Sequence, residues 1–95
     1  MATTAELTAL RDAVLASPEL TAAVAAVDEA MAAYKAAQAA FYANTEDHAV
    51  YAAQVKAENL LRAAERAAQL LRKPAEEYQR RIEAIANKKV SRHIW

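Results

Sequence analysis

The chain has 95 residues, 12 basic and 12 acidic side chains, 28 alanines, two prolines, and neither glycine nor cysteine. That length allows one domain, 1–95, with a modest core, because alanine favours helix strongly but buries little area. Without cysteine there is no disulfide framework, and without glycine there is neither a phosphate-cradling loop nor the usual two-residue hairpin turn. β-branched residues show no period-two run, so the fold class expected is all-α.

Thr3 followed by Glu6 forms a capping-box pattern, and Leu7, Leu10 and Val14 follow at spacings of three and four. They predict a short first helix over about 4–16. Ser17-Pro18-Glu19 ends it and starts another: serine caps, proline suits the first helical position, and an acid favours the positive helix end.

The second helix is expected over 18–43, about 39 Å at the usual rise per residue. Its large residues Leu20, Val24, Val27, Met31, Tyr34, Gln38 and Phe41 recur at spacings of 4, 3, 4, 3, 4 and 3, an unbroken heptad seam. Gln38 is the polar interruption, either fixing register inside a core or lying near solvent at the helix end. Asn44-Thr45-Glu46-Asp47 breaks the helix with turn and cap residues.

A third helix is expected over 46–73, with Val50, Ala53, Ala57, Leu60, Ala64, Ala67 and Leu71 as its seam. Matched lengths and a short connection make 18–43 and 46–73 a long antiparallel helical hairpin. Arg72-Lys73 suit a helix C-terminus, and Pro74 should end the helix. A Pro-initiated C-terminal helix over 75–89 then carries Tyr78, Ile82, Ile85 and Val90 on one face.

Charge is unevenly placed. Residues 1–50 hold two basic and seven acidic side chains, and residues 51–95 hold ten basic and five acidic ones. Opposite fields attract antiparallel helices, and a basic segment also suits an acidic partner or nucleic acid. Glu58–Arg62, Glu76–Arg80 and Glu77–Arg81 have the spacing of solvated helix ion pairs. That leaves Lys88, Lys89 and Arg92 as the least paired cations.

No catalytic constellation is visible. His48 and His93 do not form a metal-binding pair, and Glu46, Asp47 and His48 are better explained as a capped helix start. Ser17 and Ser91 are cap and tail residues rather than nucleophiles. The expectation is a non-enzyme with no cofactor, no metal and no small-molecule substrate.

The candidate contact residues are instead apolar or basic. A terminal Trp95 beside Ile94 wastes apolar surface unless it folds back onto this chain or docks into another, and the thin core favours docking. Phe41 and Tyr51 are placed to pack across the Asn44 turn, with Tyr42 on another face, where an exposed ring is a contact candidate although core packing is the commoner explanation. The candidate partner-binding set is thus Trp95, Ile94, Lys88, Lys89, Arg92 and Tyr42.

The stretch LRDAVLASPELTAAVAAVDEAM, residues 10–31, together with KPAEEY, residues 73–78, resembles the small bacterial helical regulators of the YlbF/YmcA type. That resemblance implies a short helix, a Ser-Pro-Glu restart, a long hairpin and a Pro-initiated final helix. It also implies a non-enzymatic accessory protein that forms homo- or hetero-oligomers and tunes an RNA-processing or developmental pathway. No functional residue carries over, and the basic tail ending in Trp95 departs from the family pattern. The composition is equally compatible with a phage product, either a virion part or an inhibitor of a host machine.

The function expected is therefore a helical protein–protein interaction module, a self-associating structural or regulatory component. Its partner would be another copy or a larger assembly. The alternative is a nucleic-acid-associated accessory protein using the basic C-terminal half. No stretch is apolar enough to span a membrane, and MATTAELTALRD lacks the pattern of a signal peptide. A cytoplasmic location, or a virion for a phage product, is expected.

Overall fold

Helix ends come first, because each is set locally. In the computed structural model the Thr3 hydroxyl accepts from the Glu6 N–H at 3.2 Å and α1 runs Thr4–Leu15. Ser17 caps α2, Pro18–Ala43, by accepting from the Leu20 N–H at 3.3 Å, with Pro18 in the first turn. Asn44 closes α2, its N–H donating to the Ala40 and Phe41 carbonyls. Asp47 then opens α3, His48–Ile94, by accepting from the Ala49 N–H at 2.9 Å. The structure describes residues 2–94, with side chains described as far as Lys88.

These three helices make an all-α fold, with no strand among the described residues, organised as an extended helical hairpin. α3 is its spine. α2 and α1 lie end to end along α3, both antiparallel to it, and scarcely touch each other. Pairs at one level add to nearly the same number all along the rod. Phe41 stacks near Tyr51, Val24 shares a groove with Ala68, Leu15 with Ala75, and Arg11 bonds Gln79.

The molecule measures 66 × 31 × 13 Å, and its radius of gyration is 20.4 Å. A compact chain of this length would have about 12 Å. A thickness of 13 Å is that of one layer of helices, so no second layer covers either face.

The α2 seam lies where its spacing put it. Leu20 is buried, and Val24, Val27, Met31, Tyr34, Gln38 and Phe41 are half-buried. The α3 seam does not. Its buried residues are Leu61, Ala68 and Ala75, seven apart, at 6%, 1% and 3% exposure. Of the expected seam, Val50, Ala57 and Ala64 do face inward, whereas Ala53, Leu60 and Ala67 are exposed and Leu71 is only partly covered. Half of the expected positions hold and the other half move by one residue, to Gln54, Leu61 and Ala68, which turns the inward stripe by about 50° round the helix. In α1 the expected Leu7 is buried and Val14 half-buried, while Leu10 is exposed and Arg11 is half-buried in its place.

Pro74 does not end a helix or begin one: α3 continues through it, so the separate helix over 75–89 is part of α3. Proline removes the bond to the carbonyl four residues back and clashes with it, at about 3 kcal/mol. Here Pro74 and Leu70 are both exposed, so water can take the freed Leu70 carbonyl. Just beyond, Ala75 is buried and Tyr78, Ile82 and Ile85 are half-buried. That contact with α1 keeps the two halves of α3 in one seam.

No helix of the described residues is long and apolar enough to cross a membrane. Among the described residues the buried core is Leu7, Leu20, Leu61, Ala68 and Ala75, so each large member carries much of it.

Two substitutions of opposite sign test this architecture in urea unfolding followed by circular dichroism. Leu61→Ala should lower stability by about 2–4 kcal/mol, the usual cost of emptying a buried leucine site. Pro74→Ala should raise it by about 1–3 kcal/mol, because it restores a helical bond within a continuous helix. A helix that truly began at Pro74 would leave the second value near zero.

Candidate interaction surface

A single layer of helices has two open faces, and α2 and α3 make them chemically different. On one face a groove between the two helices is lined by Asp28, Arg62, Glu65, Arg66, Gln69 and Arg72. Charges of both signs alternate there. Arg62 is paired with Glu58 at 2.5 Å, a solvated pair of little energetic weight.

The opposite face is apolar. Ala26, Ala30 and Ala33 of α2 meet Ala57, Leu60 and Ala64 of α3 across a second groove, with Glu29 at its rim. The stripe follows from sequence spacing. Ala26, Ala30, Ala33, Ala37 and Ala40 recur along α2 at the period of a heptad, and Ala53, Ala57, Leu60, Ala64, Ala67 and Leu71 do so along α3. Alanine allows a helix axis to approach to about 8 Å, the close end of the packing range. Leu60 and Leu71 project from the α3 side at 59% and 38% exposure. The residues read from sequence as the inner seam of α3 are therefore largely the residues of this outer stripe.

The hairpin tip carries an aromatic cluster. The Phe41 ring lies 5.6 Å from Tyr51 across the turn and 6.0 Å from Tyr42, as the spacing predicted for the first pair. Tyr42 is 67% exposed, and its hydroxyl accepts from Gln38 Nε2 at 3.2 Å. Gln38 is thus a half-buried residue bonded at the tip rather than a polar lock inside a core. Tyr51 and Val55 are also exposed and continue onto the outside of α3 beside Ala52 and Leu60.

At the other end, Arg11 Nη1 donates to Gln79 Oε1 at 2.6 Å and ties α1 to α3. Arg11 was not singled out from sequence. Its place between Leu7 and Val14, four and three residues away, is the signal that could have found it. Arg80 and Arg81 both approach Glu77, at 2.7 and 3.8 Å, while Glu76 accepts from Gln69 instead of meeting Arg80.

The candidate contact residues are not brought together. Tyr42 sits at the tip beside Phe41, and Lys88 is exposed near the far end of α3. Tyr51 and Lys88 are about 55 Å apart along the helix. Trp95 and the side chains of Lys89, Arg92 and Ile94 lie outside the described residues. Among the described residues no group of three His, Cys, Asp or Glu side chains could hold a metal ion, and Asp47 serves as a helix cap.

Neither a family model, nor a curated protein, nor a solved structure matches the chain.

Proposed function

We propose that this protein works by contact, as a non-enzymatic, self-associating helical module in a structural or regulatory assembly. Its working surface is the alanine face of α2 and α3. One observation carries this reading. The chain exposes 7167 Å². A compact monomer of its 10.3 kDa would expose about 5,400 Å². The surplus of about 1,800 Å² per chain is on the scale that stable protein interfaces bury.

The exposed apolar side chains support the same reading. Leu60 and Leu71 stand in and beside an alanine stripe, where contiguous apolar surface usually marks an interaction site. The resemblance to oligomer-forming helical regulators points in the same direction. The nucleic-acid reading has less support, because Arg62, Arg66 and Arg72 share their groove with Asp28 and Glu65. Acids in the groove oppose phosphate contact.

Sedimentation velocity tests the proposal. The wild-type chain should sediment as an oligomer in the low micromolar range. Leu60→Glu and Ala33→Glu, both at exposed positions of the single chain, should sediment as monomers with unchanged helical circular dichroism. A wild-type chain that stays monomeric up to about 100 µM, weaker than about 5 kcal/mol of association, would remove the reading.

A further inference from the structure

We propose that the rod carries a hinge at the level of Ser17, Pro18 and Pro74. One arm is α2 with residues 48–73 of α3, and the other is α1 with the part of α3 beyond Pro74. The arms swing against each other as units, so the length of straight surface the rod offers is adjustable. This goes beyond the reading above and does not depend on self-association.

The chain crosses this level twice, and both crossings are weak. The first lies between α1 and α2. There the Ser17 N–H turns back to the Val14 carbonyl, Thr21 donates to the Ser17 carbonyl, and Pro18 has no N–H to give. Among the described residues no backbone hydrogen bond runs from α2 to α1. The second crossing is Pro74, inside α3. It leaves the Leu70 carbonyl without its helical donor, and its ring pushes against that carbonyl. Proline is a leading cause of sharp helix kinks.

Staggered breaks would be stiff, because an intact helix alongside would splint each one. These breaks are not staggered. Leu15 shares one groove with Ala75 and another with Leu20 and Arg72. The end of α1, the start of α2 and Pro74 therefore lie side by side. Leu15 is 48% exposed between those two grooves, which leaves room at the joint.

Each arm keeps its own contacts when the joint moves. Buried Leu20, Leu61 and Ala68 belong to the first arm. Buried Leu7 and Ala75, and the 2.6 Å bond from Arg11 to Gln79, belong to the second. α1 scarcely touches α2, so little packing joins the arms directly.

The structure also shows the bend and its sense. The molecule is 31 Å wide, more than the about 20–24 Å of two straight helices side by side. Pro74 and Leu70 are both exposed and lie about 40° apart around α3, so ring and carbonyl force that side open. Gln69 and Glu76 lie about 140° and 160° round from Pro74, on the side that closes. There Gln69 Nε2 donates to Glu76 Oε1 at 2.9 Å, a bond that spans the proline.

The chain has no cysteine, so a pair of introduced ones carries two spin labels for pulsed dipolar spectroscopy. Glu65→Cys with Glu83→Cys places exposed labels on the closing side, one on each arm. A straight helix would separate them by about 27 Å, five turns. His48→Cys with Arg66→Cys has the same spacing within one arm and serves as the rigid standard. Labelled chains are diluted with unlabelled ones, so that only distances within a chain are read. The pair across the joint should be about 3–4 Å shorter than the standard and more broadly distributed, as a kink beyond about 20° requires. Adding Pro74→Ala should lengthen and narrow it to match the standard. Both changes together uphold the hinge. A short distance as narrow as the standard reveals a fixed bend and overturns it, as does a distribution that Pro74→Ala leaves unchanged.

Discussion

Every feature of this molecule depends on one seam along α3. Leu61, Ala68 and Ala75, each seven residues from the next, are the buried residues of α3 among those described, and they face α2 and then α1 in turn. α1 and α2 have almost no contact with each other, so each is held in place by α3 rather than by its neighbour in sequence. A helix of this length has no intrinsic reason to stay straight or ordered beyond its local bonds. Its partners supply that reason, and it supplies theirs. Arg11 bonding Gln79 and Phe41 meeting Tyr51 tie the spine to α1 and to the end of α2.

Alanine explains both the order and the thinness. It is the best helix former, so 28 alanines in 95 residues make long helices locally stable without much tertiary help. The same side chain is too small to remove much apolar area from water. Such a chain forms well-defined rods that pack closely in pairs and leave wide apolar stripes uncovered. The difference between a radius of gyration of 20.4 Å and the value of about 12 Å for a compact chain is a consequence of that choice. So is the contrast between faces. Where Asp28, Arg62, Glu65 and Arg66 line the groove, water is an adequate partner; where Ala30, Ala33, Leu60 and Ala64 line it, another apolar surface is a better one.

The two prolines occupy nearly the same level of the rod, by the pairing that sets Val24 beside Ala68. Pro18 stands at a true break between two helices, with Ser17 capping the second. Pro74 stands inside a helix that does not break. The chemistry of the residue is the same and the outcome differs because of what surrounds it. At Pro18 a serine in extended conformation offers the next helix a cap, and the two helices can part. At Pro74 the flanking Ala75 is buried against α1, and parting would expose it.

Local chemistry was legible in the sequence wherever a side chain bonds its own backbone or neighbours its own helix. Thr3, Ser17 with Pro18, and Asn44 marked helix ends, and the heptad of large residues from Leu20 to Phe41 marked the inner face of α2. The tip pair of Phe41 and Tyr51 followed from the position of the turn. The inner face of α3 was not legible, because its apolar sector is broad: Ala53, Leu60 and Ala67 form as regular a stripe as Gln54, Leu61 and Ala68 next to them. Periodicity measures spacing along a helix, not which of two neighbouring stripes a partner will cover. Only the tertiary structure decided that, since the stripe through Leu61 and Ala68 continues past Pro74 to Ala75 and Ile82, where α1 covers it. Without α1 in place, nothing in residues 46–73 separates an inward alanine from an outward one. The surface offered for contact was thus written in the sequence as a pattern, and the fold turned that pattern outward.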